Sequence, residues 1–184
     1  MTHQVTLPPY LRPYRCDSLI RVGRDGDGGY LVDSESVGRA DHLVGLGVNV
    51  DWSFEEQFRA LNPVGIDCFD GGIGTGPFLK ATVKAALKFR KPEKILAQAR
   101  LFLGYSRFFS GDVVHHKTFV STLDGPDHMT LATILDRVIG REKSKVFLKV
   151  DIRGHEYRIL DDILTRKERI EGLVDPGTFV ELDR

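Results

Sequence analysis

The sequence predicts an α/β fold: a mostly parallel sheet with helices on both faces. Short apolar runs rich in Val and Leu alternate along the chain with segments of helical periodicity. The runs are apolar on successive residues, as strands buried on both faces are. Several end abruptly in glycine or acid, most sharply in "VFLKVDIRGHEYRIL", Val146 to Leu160, which turns polar at Asp151. In open parallel sheets ligands bind beyond the carboxyl ends of the strands, so those polar ends are where function is sought.

The elements follow in order. The proline-rich stretch 1–20 reads as an extended lead-in, and 21–184 as a single domain. "RVGRDGDGGYLVDSE" places glycines and aspartates between two apolar runs and reads as a hairpin or tight loop before a strand. His42 to Val48 is too short and too rich in Val and Leu for a helix and reads as a strand. Ser53 and Glu56 form a capping-box pattern, with Phe54, Phe58 and Leu61 on one face of the helix it opens. Val64 to Phe69 is a second buried strand. Helical patterns begin at Pro77 (Leu79, Val83, Leu87) and at Pro92 (Ile95, Leu96, Ala99, Phe102). "HHKTFVS" reads as a third strand, and Leu131, Ile134, Leu135 and Val138 mark another amphipathic helix. "VFLKVDI" is a strand, followed by a helix with Tyr157, Leu160 and Leu164 as its apolar stripe, and "IEGLVD" begins one more strand.

Composition narrows the function. Apolar residues are 41% and charged residues 28% of the 184, ordinary for a globular domain. Twenty-six basic residues balance twenty-six acidic ones, which gives no support to nucleic-acid binding. No apolar run approaches the roughly 20 residues of a membrane-spanning helix, and nothing resembles a signal peptide. Two distant cysteines, Cys16 and Cys68, have no metal-type spacing and fit a reduced, cytoplasmic setting. An EF-hand reading of "DGDGG" fails because Ser36 stands where the loop requires its closing Glu. His115 and His116 are adjacent, so in a strand they point to opposite faces and share no metal.

Three strand ends carry candidate chemistry. After the first, "GLGVNVDWS" offers Gly45 and Gly47 for close backbone approach, either to a ligand or simply for a tight turn; it lacks the third glycine of the dinucleotide fingerprint. After the second comes Asp70, at the distance from the glycines where a carboxylate grips a ribose diol; Asp67 is a rival, and a turn with Gly71 and Gly72 is the plainer role. The third carries Asp151 and, in the first turn of the next helix, Glu156, where an acid also suits the helix dipole. Lys149 lies inside that strand, where a charge needs a partner or a polar cleft.

Taken together, these strand ends resemble the FkbM-type S-adenosylmethionine-dependent methyltransferases. "FLKVDIRGHEYRIL" is similar to that family's L-K-[ID]-D-[IV]-E-G-x-E-x-x-[VL]-L pattern, and "RVGRDGDGGYLV" and "GLGVNVDWSFEEQF" look like segments of its bacterial branch. The resemblance runs from about Arg21 to Val174. It implies a three-layer, Rossmann-like class I methyltransferase sheet with S-adenosyl-L-methionine as cofactor. The cofactor would be held by Gly45, Gly47, Asn49, Asp51 and Asp70, with Asp151 and Glu156 at the chemistry and a sugar or secondary-metabolite hydroxyl as the methyl acceptor. No metal is called for. Two positions depart from the family. Arg153 replaces an acid, and "DPGTFVELDR" stands where the last strands would follow. The resemblance therefore implies a sheet lacking those strands, with a partner or second copy covering its edge, and leaves a catalytically inactive, cofactor-binding remnant as the alternative.

Overall fold

The computed structural model describes residues 16–25, 28–74, 92–137, 140, 145–152 and 154–175. Most of the lead-in, the helix expected from Pro77, Val138 and Arg153 lie outside the described residues. Strands β1 (Leu19–Val22) and β2 (Tyr30–Asp33) pair antiparallel, the hairpin that the glycine- and aspartate-rich stretch suggested. Helix α1 (Ser34–Arg39) follows at once. Next come β3 (His42–Leu46), α2 (Ser53–Leu61), β4 (Gly65–Phe69), α3 (Pro92–Phe108) and β5 (Val113–His116). A short parallel pair, β6 (Phe119–Val120) and β7 (His128–Met129), precedes α4 (Leu131–Arg137). The chain then forms β8 (Val146–Val150), a 3-10 turn over Glu156–Arg158, α5 (Leu160–Thr165), a second such turn over Lys167–Arg169, and β9 (Ile170–Val174).

Five of these strands form one all-parallel sheet in the order β5-β4-β3-β8-β9. The chain winds outward from β3 in one direction, returns, and continues from β8 in the other. This is a doubly wound layout whose switch point lies between β3 and β8. Period-2 alternation divides the buried side chains between two cores. Leu43, Ile66 and Phe147 face one side and pack with Phe54 and Phe58 of α2, Val37 of α1 and Tyr105 of α3. Val44, Leu46, Phe69, Val146, Leu148 and Val150 face the other and pack with Leu131, Ile134 and Leu135 of α4 and Ile159 and Ile163 of α5. The sheet is thus the middle of three layers.

Four local expectations need correction. Ser53 does not cap α2: the N-cap residue is Trp52, which makes no side-chain cap bond, and the Ser53 N–H instead donates to Asp51 Oδ1 at 3.1 Å. Leu61 is exposed, so only Phe54 and Phe58 of the expected face are core. The third strand begins at Val113, and Phe119–Val120 belongs to the separate small pair. Most informatively, the stripe of Tyr157, Leu160 and Leu164 faces outward (80%, 45% and 58% exposed), while Ile159 and Ile163 are buried. The helix proper starts only at Leu160, with Tyr157 in the preceding 3-10 turn, and the side it buries carries Ile159 and Ile163, an apolar pair at the same four-residue spacing as Leu160 and Leu164.

Beneath α2 the core holds a charge. Lys149 of β8 is 2% exposed, and its Nζ donates to Oε1 of the fully buried Glu55 at 2.8 Å. The ammonium also lies 5.6 Å from the ring centroid of Tyr30 and 5.4 Å from that of Phe54. Burial pushes the Lys149 amine down, but the Glu55 carboxylate outweighs it and holds the group protonated. The pair fits because Gly45 lies between them in the sheet, in register with Lys149 on one side and Cys68 on the other. A Cβ at Gly45 would sit 3.2 Å from Glu55 Oε1 and 3.3 Å from Cys68 Sγ. On the opposite face Asp67 accepts from His42 Nε2 at 2.7 Å and from His116 Nε2 at 2.5 Å, tying β3, β4 and β5 together. Burial raises the Asp67 carboxyl, but the His116 and His42 bonds outweigh it and leave the group below the ordinary carboxylate range. Cys16 and Cys68 are both free thiols.

Two expected outcomes follow from these contacts. Lys149→Met strands a buried carboxylate and should cost about 3–5 kcal/mol in chemical denaturation, whereas Lys149→Met combined with Glu55→Leu should recover most of that loss. Asp33 caps α1 through Ser36 and Glu35 and accepts from the Ser18 hydroxyl. Those bonds lower its carboxyl from 3.8 to about 2. Its contribution to stability is therefore complete above 3.8 and lost as pH falls through about 2. The Tm gap between the native protein and Asp33→Ala should narrow over that window.

Candidate functional site

A cleft of about 730 Å³ opens at the carboxyl edge of the sheet, at the switch point. Gly47, Asn49, Asp70 and Asp151 all line it, so residues from the ends of β3, β4 and β8 meet there. The far wall comes from Thr118 to Thr122 around β6, from His128 of β7, and from His155 and Arg158 of the turn after β8.

The loop after β3 is shaped by its neighbours. Gly47 has φ +77°, and a Cβ there would lie 1.9 Å from the Asp151 carbonyl oxygen. Its glycine is thus required by the close approach of the chain after β8, and the same bare backbone opens into the cleft. Asn49 is also left-handed, at φ +54°, a conformation Asn tolerates better than most residues. Asp70 Oδ2 accepts the N–H groups of Val48 at 3.0 Å and Asn49 at 2.8 Å, and Oδ1 accepts that of Gly72 at 2.7 Å. One carboxylate on β4 therefore fixes the loop of β3, and the expected turn with Gly72 forms as well.

Asp70 is itself held from below. His115 Nε2 lies 3.0 Å from the Asp70 carbonyl oxygen, and its Nδ1 lies 2.6 Å from the Tyr105 hydroxyl. Burial drives the imidazole toward its neutral form. A neutral ring facing a carbonyl through Nε2 must donate there, so Nδ1 accepts from Tyr105. Asp151 is placed by its own N–H, which donates to the Leu46 carbonyl at 2.8 Å, and by the Tyr30 hydroxyl, which donates to Oδ2 at 3.2 Å. Tyr30 comes from the hairpin, a residue to which the sequence reading gave no role.

Of the residues singled out in the sequence, Gly47, Asn49, Asp70 and Asp151 are brought together. Gly45, Asp51 and Glu156 do not line this cleft. Gly45 is buried under Glu55. Asp51 turns toward the hairpin loop, where Arg24 Nε donates to its Oδ2 at 2.8 Å. Burial raises the Asp51 carboxyl, but Arg24 and Ser53 bring it below the ordinary value. Ser53 serves the same loop by accepting the Arg24 N–H at 3.1 Å, so the base of α2 anchors the chain at Arg24, just after β1. Glu156 opens the 3-10 turn rather than a helix. Asp67 is committed to its two histidines on the sheet face. The aromatic stretch around Tyr105 packs with Trp52 and Phe109, as core. No group of three or more His, Cys, Asp or Glu side chains suited to a metal ion occurs among the described residues, and no helix among them is long and apolar enough to cross a membrane.

Asp70→Ala should destabilise the ligand-free protein by about 1–3 kcal/mol, because the buried Val48 N–H loses its acceptor. Asp70→Asn, which keeps one acceptor oxygen, should lose less; thermal denaturation of both variants measures this. No protein-family model, curated protein or solved structure matches this chain.

Proposed function

We propose that the chain transfers a methyl group from S-adenosyl-L-methionine to a hydroxyl of a small-molecule acceptor such as a sugar or secondary metabolite. One observation carries the reading: two carboxylates, Asp70 at the end of β4 and Asp151 at the end of β8, open with the glycine loop of β3 into one cleft at a doubly wound switch point. The resemblance of "FLKVDIRGHEYRIL" and its companion segments to FkbM-type enzymes supports the same reading.

The residues present fit the cofactor. A carboxylate has about four lone-pair sites, and backbone N–H groups occupy three at Asp70, which leaves about one for a ribose hydroxyl. Phe119, 48% exposed on the cleft wall, offers an aromatic face to a heterocycle. The acidic floor suits a ligand that carries positive charge. Backbone at Gly47 and Asn49 would border it, while Asp51 holds the loop's far end.

When bound, the cofactor would supply an electrophilic methyl on a sulfonium sulfur, for transfer to the acceptor oxygen with a neutral thioether as leaving group. The chain's own contribution is mostly placement. Asp151 lies where it can orient the acceptor hydroxyl and take its proton, and Tyr30 fixes the rotamer of that carboxylate.

S-Adenosylhomocysteine should bind the folded protein in isothermal titration, and absence of binding removes the proposal. With an acceptor in hand, Asp151→Asn should lower kcat by about a hundredfold or more while leaving affinity for S-adenosylhomocysteine, whose thioether is neutral, nearly unchanged.

A further inference from the structure

The cleft is divided in charge. Its floor is acidic, with Asp70 and Asp151, whereas its outer wall carries Arg158, His155 and His128. Arg158 is exposed, and its guanidinium has no hydrogen-bond or ion-pair partner among the described residues. Several other arginines are matched to acids, Arg24 with Asp51, Arg39 with Glu171, Arg59 with Asp112 and Arg169 with Asp136; what sets Arg158 apart is that it lines this cleft. Nor does Arg158 lack candidates close by in sequence, since Asp161 and Asp162 follow it; yet Asp162 pairs with Arg166 at 3.5 Å.

Local geometry adds a second group to the first. The Arg158 N–H donates to the His155 carbonyl at 3.0 Å, closing the 3-10 turn. Residues three apart eclipse each other in a 3-10 turn, so His155 and Arg158 lie one above the other, and both line the cleft. His128 lines the same cleft from β7, its ring centroid 5.7 Å from that of Phe119. A guanidinium fork over one imidazole, with a second imidazole opening into the same cleft, is a donor set for a planar or tetrahedral oxyanion.

We propose that the methyl acceptor carries a carboxylate or phosphate group, which Arg158 binds with His155 and His128 beside it. This rests on the methyl-transfer reading and names the class of its acceptor. The carboxylates of the floor repel such a group and the wall attracts it, so the acceptor enters with its anionic end outward and its hydroxyl toward Asp151. A neutral sugar would leave Arg158 without a counter-charge.

The test uses the full chain saturated with S-adenosylhomocysteine, into which inorganic phosphate and, separately, acetate are titrated. Histidine ring resonances and calorimetry report binding. The expected result is a shift of the His155 and His128 resonances with His42, His115 and His116 unmoved. Arg158→Ala should weaken the tighter of the two anions by about tenfold or more without changing S-adenosylhomocysteine affinity, and Arg158→Lys should retain part of the binding. Whichever anion depends more on Arg158 identifies the acceptor's acidic group. If neither anion moves His155, or affinity is the same in Arg158→Ala, the proposal is overturned, and intact S-adenosylhomocysteine binding leaves the methyl-transfer reading standing. If instead the anions bind through Arg158 but S-adenosylhomocysteine does not bind at all, the methyl-transfer reading fails, and with it the identification of the anion as a methyl acceptor.

Discussion

The sheet is organised around one buried ion pair. Glu55 and Lys149 come from different layers, α2 and β8, and meet across Gly45 of the intervening strand. Desolvating both charges is costly, and the second oxygen of Glu55 has no hydrogen-bond partner. What the pair supplies is a fixed relation between elements. Only one register of β8 against β3 puts Lys149 beside Gly45, and only one seating of α2 brings Glu55 onto that glycine. A shift of one residue would turn Lys149 away from Glu55 to the opposite face, among the apolar side chains that pack with α4 and α5.

Register in turn decides what reaches the carboxyl edge. With β3 and β8 aligned, the Asp151 backbone closes against Gly47, and the Asp151 side chain meets the hairpin through Tyr30. Tyr30 also lies against the Lys149 ammonium and packs edge-on with Phe54 at 5.5 Å. The antiparallel hairpin, which has no place in the parallel sheet, is thus joined both to the buried charge and to the cleft. Arg24, Asp51, Ser53 and Gln57 clamp its turn onto the start of α2. Acids and glycines that look alike in sequence divide in this way between building the cleft and facing it.

Much of this was legible in the sequence. The strand-helix alternation announced the parallel sheet, and the polar strand ends marked the carboxyl edge where Asp70 and Asp151 line one cleft. Lys149 declared itself as a charge in need of a partner, although nothing in the sequence named Glu55, which lies 94 residues away. Asp51 misled because an acid after a glycine turn reads the same whether it meets a ligand or an arginine from a distant hairpin. Tyr157, Leu160 and Leu164 misled for a different reason. Periodicity finds a stripe but not the direction it faces, and Ile159 and Ile163 offer a second apolar stripe at the same spacing. Arg158 and His128 carried no local signal at all; only the fold brings them to one wall.

The grip of Asp70 on the loop after β3 has a consequence for how the molecule comes into being. The loop holds two successive departures from ordinary backbone, at Gly47 and Asn49, and its amides are satisfied by a side chain from the next strand. That side chain reaches the loop only when β4 is docked beside β3. The cleft is therefore built out of long-range contacts rather than carried by any segment alone. A ligand seated there would grasp the finished sheet and none of its precursors, so its binding would act as a latch on the assembled fold.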